Sequence, residues 1–313
     1  MTIDFGAHIY PPDVFPEPLT GSPIQATIGD ALDSIETLEQ RYEAAGIDEV
    51  VLSQPYYMGI DDPESTRRAN DALFELFDER EGLYGLAALP VSAGGAAAAE
   101  EFERALDRGY NGAAIETKTN GVELVDTELE PVFDVAEQYG APILVHPKLD
   151  ESLHPDVLSD KYLLNATFGR EAALAESISK VIHQGILDRH PDLNLVYHHL
   201  GGNIASMIGR IHLQLEEGRW PGQERTKDFE AFSQQLRERV YLDTSGFFGY
   251  ETPVETALEV FPTSNLLFGT DYPFEPRSAD ELTSFRNTIT EVASQEMQKI
   301  LHDNAEELLV NYP

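Results

Sequence analysis

The 313-residue chain predicts an α/β fold, a (β/α)8 TIM barrel, on three observations. Short apolar runs alternate with amphipathic blocks almost from end to end. Eight such strand-then-helix units can be counted. Histidines and carboxylates gather where the apolar runs end, the edge at which such barrels carry their reactive groups.

The first strand is predicted over 2–9, TIDFGAHI, and breaks at Pro11-Pro12. A strand repeats with period two, so Asp4, Gly6 and His8 are expected on one face. The first amphipathic block covers 30–45, and EVVLSQ (49–54) is the second strand. The block 63–80 leads to LYGLAAL (83–89), and 96–108 stops at Gly109 before GAAIET (112–117), which ends near Glu116. The block 127–139 leads to APILVHP (141–147), which delivers His146 ahead of Pro147. An insert with little periodicity follows at about 148–169, then a helical block over 170–190. LNLVYHH (193–199) delivers His198 and His199 ahead of Gly201-Gly202. After the block 203–218, the excess segment 219–238 precedes RVYLDTS (239–245), which ends near Asp243. The block 251–261, the strand NLLFGTD (265–271) ending at Asp271, and the block 278–291 complete the ring. The tail from Ala293 supplies one or two closing helices. All strands are short and rich in Val, Ile, Leu or Ala, as strands covered on both faces are. No Gly-rich phosphate loop follows the first strand, which disfavours a doubly wound dinucleotide fold. One domain over 1–313 is the simplest organisation.

Composition narrows the classes further. Acidic residues number 56 against 21 basic ones, a net charge of −35. The acids are dispersed along helical blocks rather than gathered in a tail. Together with only six lysines, this is the surface expected of a protein from a high-salt cytoplasm. It argues against nucleic-acid binding, which needs a basic surface. With no cysteine there are no disulfides, thiolate nucleophiles or thiolate-ligated metals. No apolar run reaches the roughly 18 residues of a membrane span, and no signal-peptide pattern opens the chain. A soluble, cytoplasmic protein without membrane contact is expected.

Four of the nine histidines fall at strand ends, on three strands. Imidazole and carboxylate are what a divalent ion takes where thiolates are absent, zinc first and manganese second. Two histidines and one carboxylate leave positions open for substrate. A further histidine nearby can carry a proton near neutral pH.

With these residues in place, the chain resembles the amidohydrolase-related family, and within it the branch of aminocarboxymuconate-semialdehyde decarboxylase and the hydroxybenzoate decarboxylases. IDFGAHIYP, RRANDALFEL, PILVHPK, VYHHLGGN and LLFGTDYPFE carry the likeness, which runs nearly end to end. It implies a metal-dependent barrel enzyme, a hydrolase or a non-oxidative decarboxylase of a small carboxylated cyclic or aromatic compound. It implies one divalent metal held by His8, His146 and Asp271. His199, and Asp271 in a hydrolysis, would handle protons. His198 matches no functional position of the family and is expected to face away from the site. Glu116 is a candidate additional ligand and Asp243 a loop-ordering acid. Arg170, ahead of Arg67 and Arg68, is the candidate for a substrate carboxylate; Tyr56-Tyr57, Phe247-Phe248 and Trp220 are candidates for a pocket wall. A homodimer is compatible with the resemblance. The departure is Gly6, where the family has a histidine or glutamate ligand. It raises the alternative of a metal-independent lactone hydrolase or a ligand-binding pseudoenzyme.

Overall fold

The computed structural model describes residues 1–147 and 162–310. Eight parallel strands form one sheet in chain order: β1 (Ile3–His8), β2 (Glu49–Ser53), β3 (Leu83–Ala88), β4 (Gly112–Glu116), β5 (Ile143–His146), β6 (Leu195–Tyr197), β7 (Val240–Asp243) and β8 (Leu266–Leu267). The sheet closes on itself between its first and last strands. Phe5 N–H donates to Phe268 O, Asp271 N–H to Gly6 O and His8 N–H to Tyr272 O, each at 2.8 Å. The predicted (β/α)8 barrel is thus the observed fold.

Helices α1 (Ile35–Ala45), α2 (Pro63–Phe77), α3 (Gly95–Arg108), α4 (Glu130–Tyr139), α5 (Arg170–His183), α6 (Ile204–Leu215), α7 (Glu251–Val260) and α8 (Ala279–Ala293) alternate with the strands and pack around them. Each turns a narrow apolar face inward, as Leu38, Tyr42 and Ala45 do on α1 and Phe102, Ala105 and Leu106 on α3. α8 begins with a full capping box, Ser278 and Glu281 each taking the other's backbone N–H. The segment 219–238 holds all but the last residue of an additional helix, Phe229–Arg239, capped by Asp228. The tail packs against β8, and Phe268 N–H, just past that strand, donates to Ile300 O. Of the insert at 148–169, residues 148–161 lie outside the described residues, and Asn165–Gly169 form a short π-helical lead into α5. No described helix is long and apolar enough to cross a membrane.

β1 departs from the expected pattern. It pairs Asp4 with Val50 and Ala7 with Leu52, so one extra residue is accommodated between them. The bulge breaks the period of two. Asp4 turns to the Tyr42 hydroxyl on α1 (2.7 Å) and to Thr270 N–H (3.1 Å), away from His8. The expectation that Asp4, Gly6 and His8 share one face is corrected on this ground.

Candidate active site

β1, β5 and the turn after β8 bring His8, His146 and Asp271 together at the C-terminal mouth of the barrel. His8 Nδ1 lies 2.8 Å from Ser53 Oγ on β2, its partner in register. Its Nε2 is left facing Asp271 Oδ1 at 3.1 Å. The His8 and His146 rings meet edge to face with centroids 5.3 Å apart. Asp271 adopts a left-handed backbone (φ 56°), which aspartate tolerates better than most residues, and its carboxylate lies among the imidazoles.

The largest correction is His198. Its neighbour His199 also has a left-handed backbone (φ 52°), so the strand's alternation ends at Tyr197. The two rings lie nearly side by side, 4.5 Å between centroids, and both face Asp271, each with Nε2 3.6 Å from one of its oxygens. His198 therefore does not point away from the site. Its Nδ1 donates to Asp243 Oδ2 at 2.6 Å. Asp243 is fully buried and its other oxygen accepts the Ser245 N–H at 3.0 Å, so it orders the loop and orients an imidazole together. His199 Nδ1 is held 3.0 Å from Glu171 Oε1, at the start of α5.

His8, His146, His198 and Asp271 each offer a ligand atom within 4.8 Å of the others; His199, Asp271 and Glu275 make an overlapping group. Among the described residues, four ring nitrogens at this centre are buried and meet no partner in hydrogen-bond geometry, close as Asp271 lies to His8: His8 Nε2, His146 Nδ1, His198 Nε2 and His199 Nε2. Such orphans are costly unless something else binds them. This donor set fits a divalent ion.

Burial pulls His8 and His146 below the ordinary imidazole range, which favours the neutral, ligating form. Burial acts the same way on His198 and His199, but carboxylates outweigh it. Asp243 raises His198 to about 9, and Asp271 with Glu171 raises His199. Burial would raise Asp271, yet its imidazole neighbours hold it well below the usual carboxylate range. Burial and the nearby Asp271 push Glu275 up to about 7.

The other predicted residues fall as follows. Glu116 is buried beside the site, in register with His146, but its Oε2 accepts the Thr119 hydroxyl at 2.6 Å and it joins neither ligand group. Arg170 opens α5 one residue before Glu171, and its Nε is buried without a hydrogen-bond partner among the described residues. Arg67 instead bridges α2 to Glu101 on α3 (3.2 Å), and Arg68 reaches Ser65 on its own helix. Phe247 is core, and Phe248, Tyr56 and Trp220 are exposed. Sequence reasoning missed Ser53, Glu171 and Glu275 as parts of the site and assigned His198 elsewhere; Asp243 orders its loop as expected and, in addition, holds His198. Glu275 did lie within the GTDYPFE motif, four residues after Asp271.

Residues 3–310 match the sequence profile of the amidohydrolase family. The chain is 28% identical over 300 residues to a gamma-resorcylate decarboxylase of Rhizobium sp. (strain MTP-10005), covering 88% of this chain and 87% of that one. The crystal structure of a 2,6-dihydroxybenzoate decarboxylase from Rhizobium superposes with a TM-score of 0.83 at 26% identity, over 99% of this chain and 98% of that one. A dihydroxybenzoic acid decarboxylase from Polaromonas sp. JS666, solved with bound manganese and 2-nitroresorcinol, shares the fold with a TM-score of 0.84 at 23% identity, over 99% and 96% of the two chains.

Proposed function

The chain belongs to the amidohydrolase family, and on that premise we propose that it is a metal-dependent, non-oxidative decarboxylase of a small aromatic carboxylate of the hydroxybenzoate class. The observation that carries the reading is the set of orphaned imidazole nitrogens around Asp271 at the barrel mouth. His8, His146 and Asp271 would hold one divalent ion. Manganese, found in the Polaromonas protein, is the first choice and zinc the second. When bound, such an ion supplies positive charge to the oxygens of the substrate and fixes the ring over the site.

The rest of the chemistry belongs to the chain. His199, its Nδ1 anchored by Glu171, holds a proton at Nε2 and faces the centre. That proton passes to the ring carbon bearing the carboxylate. The bond from this carbon to the carboxylate then breaks, its electron pair restores the aromatic ring, and CO2 leaves. Asp271, kept ionised by the surrounding imidazoles, stabilises the protonated form of His199 before transfer. Arg170, whose buried Nε has no partner among the described residues, would bind a substrate oxygen. Glu275, held near neutrality, is a second proton carrier within the same group.

The test is direct. Protein loaded with manganese or zinc is incubated in high salt with 2,6-dihydroxybenzoate and related hydroxybenzoates, and CO2 and the phenol are quantified. Release that stops with a chelator and returns with metal is expected. Release that a chelator leaves untouched would overturn metal dependence. Turnover of lactones in place of any hydroxybenzoate would replace the decarboxylase reading with a hydrolase.

A further inference from the structure

We infer that His198 is a metal ligand and that it replaces, from strand six, the side chain missing at position 6 of strand one. This deepens the metal-binding reading above and rests on it. Gly6 lies in a fully buried strand, and its backbone is not in the left-handed region, so the conformation does not demand glycine. Space does. A Cβ at position 6 would stand 3.0 Å from His198 Cε1, 3.4 Å from His198 Nδ1 and 3.2 Å from Asp243 Oδ2. The His198 ring thus fills the volume that a longer residue-6 side chain would enter. The two arrangements compete for the same space.

The ring is fixed for ligation from behind. Asp243 accepts from Nδ1 at 2.6 Å, and Ser245 Oγ lies 2.9 Å from the same nitrogen. That leaves Nε2 as the free atom, and it is buried without a hydrogen-bond partner among the described residues. It lies among the ligand atoms of His8, His146 and Asp271, with ring centroids 5.5 Å and 5.1 Å from the two other imidazoles. A carboxylate behind an imidazole is the usual support of a metal-bound histidine, since it sets the tautomer and raises basicity. Glu116, the other residue that could have taken the place of the missing ligand, is turned to Thr119.

The experiment reads metal rather than turnover. Metal-stripped full-length proteins are titrated with Mn(II) by calorimetry, metal content is measured after dialysis, and each apo form is melted to establish folding. His198→Ala is expected to weaken Mn(II) binding by about 100-fold or more, and Asp243→Asn by about tenfold. Gly6→His alone brings no gain, because the His198 ring blocks it. The double variant Gly6→His/His198→Ala is expected to regain at least about tenfold over His198→Ala. A folded His198→Ala that binds Mn(II) like the parent, while His8→Ala does not, overturns this inference and leaves the metal site standing. A double variant no better than His198→Ala overturns the exchange of positions. Failure of the parent chain to bind Mn(II) or Zn(II) overturns both readings. Should His198→Ala not fold, Asp243→Asn with an unchanged affinity overturns the supporting role on which the inference depends.

Discussion

His198 and His199 adjoin in sequence but are held by different acids, Asp243 and Glu171. This supports the separate roles proposed for them, and substitution tests the separation. His199→Gln is expected to lower turnover by roughly 10²–10⁴-fold while metal content stays at the parent level. Loss of metal with loss of turnover would move His199 into the ligand set. The sequence placed His8, His146, His199 and Asp271 at strand ends, and the structure brings all four together. Strand ends are legible because short apolar runs stop where polar residues begin. His198 was not legible, since alternation assumes an extended backbone up to residue 199. The left-handed turn at His199 has no local signature: histidine enters that region more readily than most residues, but the sequence does not say which histidine will. Asp4 failed for a related reason, a bulge that no residue of β1 announces.

The eight strands and most helices lay within a few residues of the predicted spans, because short apolar runs and amphipathic blocks alternate cleanly; the block 170–190 instead divides into Arg170–His183 and Ile186–Arg189. The extra helix Phe229–Arg239 left a weaker trace. Only Phe232 and Leu236 are buried on it, too few for an amphipathic stripe to stand out among its charges. One long-range clamp between elements was invisible for want of any pattern. His190, on the turn into β6, sits with Nε2 2.7 Å from Glu130 Oε2 and Nδ1 2.9 Å from Glu137 Oε2, both on α4. Burial would lower its pKa, but the two glutamates outweigh burial and raise it. A folded-state value above the unfolded one means the clamp stabilises fully below the ordinary imidazole value of about 6.5. That stabilisation fades as pH rises through the raised, folded value. His190→Gln is therefore expected to melt roughly 1–3 °C below the parent at pH 5.5, with the gap narrowing by pH 9. A gap that does not change with pH would assign the effect to packing alone.

At the scale of the whole molecule, charge sets the behaviour. Even if every lysine and arginine were paired, the excess of 35 acids would have no basic partner. Ion pairs such as Lys180 with Glu123 and Glu176 draw on that small basic supply and leave the general repulsion in place. The Debye length is about 30 Å at 0.01 M salt and about 3 Å at 1 M. Dilute buffer therefore lets the acids repel across the whole molecule, whereas concentrated salt confines each to its neighbours. The melting temperature is expected to rise by several degrees between 0.1 M and 2 M KCl and to fall below its 0.1 M value in 0.01 M. The same field acts on catalysis. The substrate proposed above is an anion and would have to approach a strongly negative molecule before reaching the imidazoles. KM should thus fall as salt rises, while kcat, set by groups already in contact with the substrate, changes far less. A melting temperature and a KM both indifferent to salt would mean that the acids are neutralised locally, and the high-salt origin inferred from composition would fall with them.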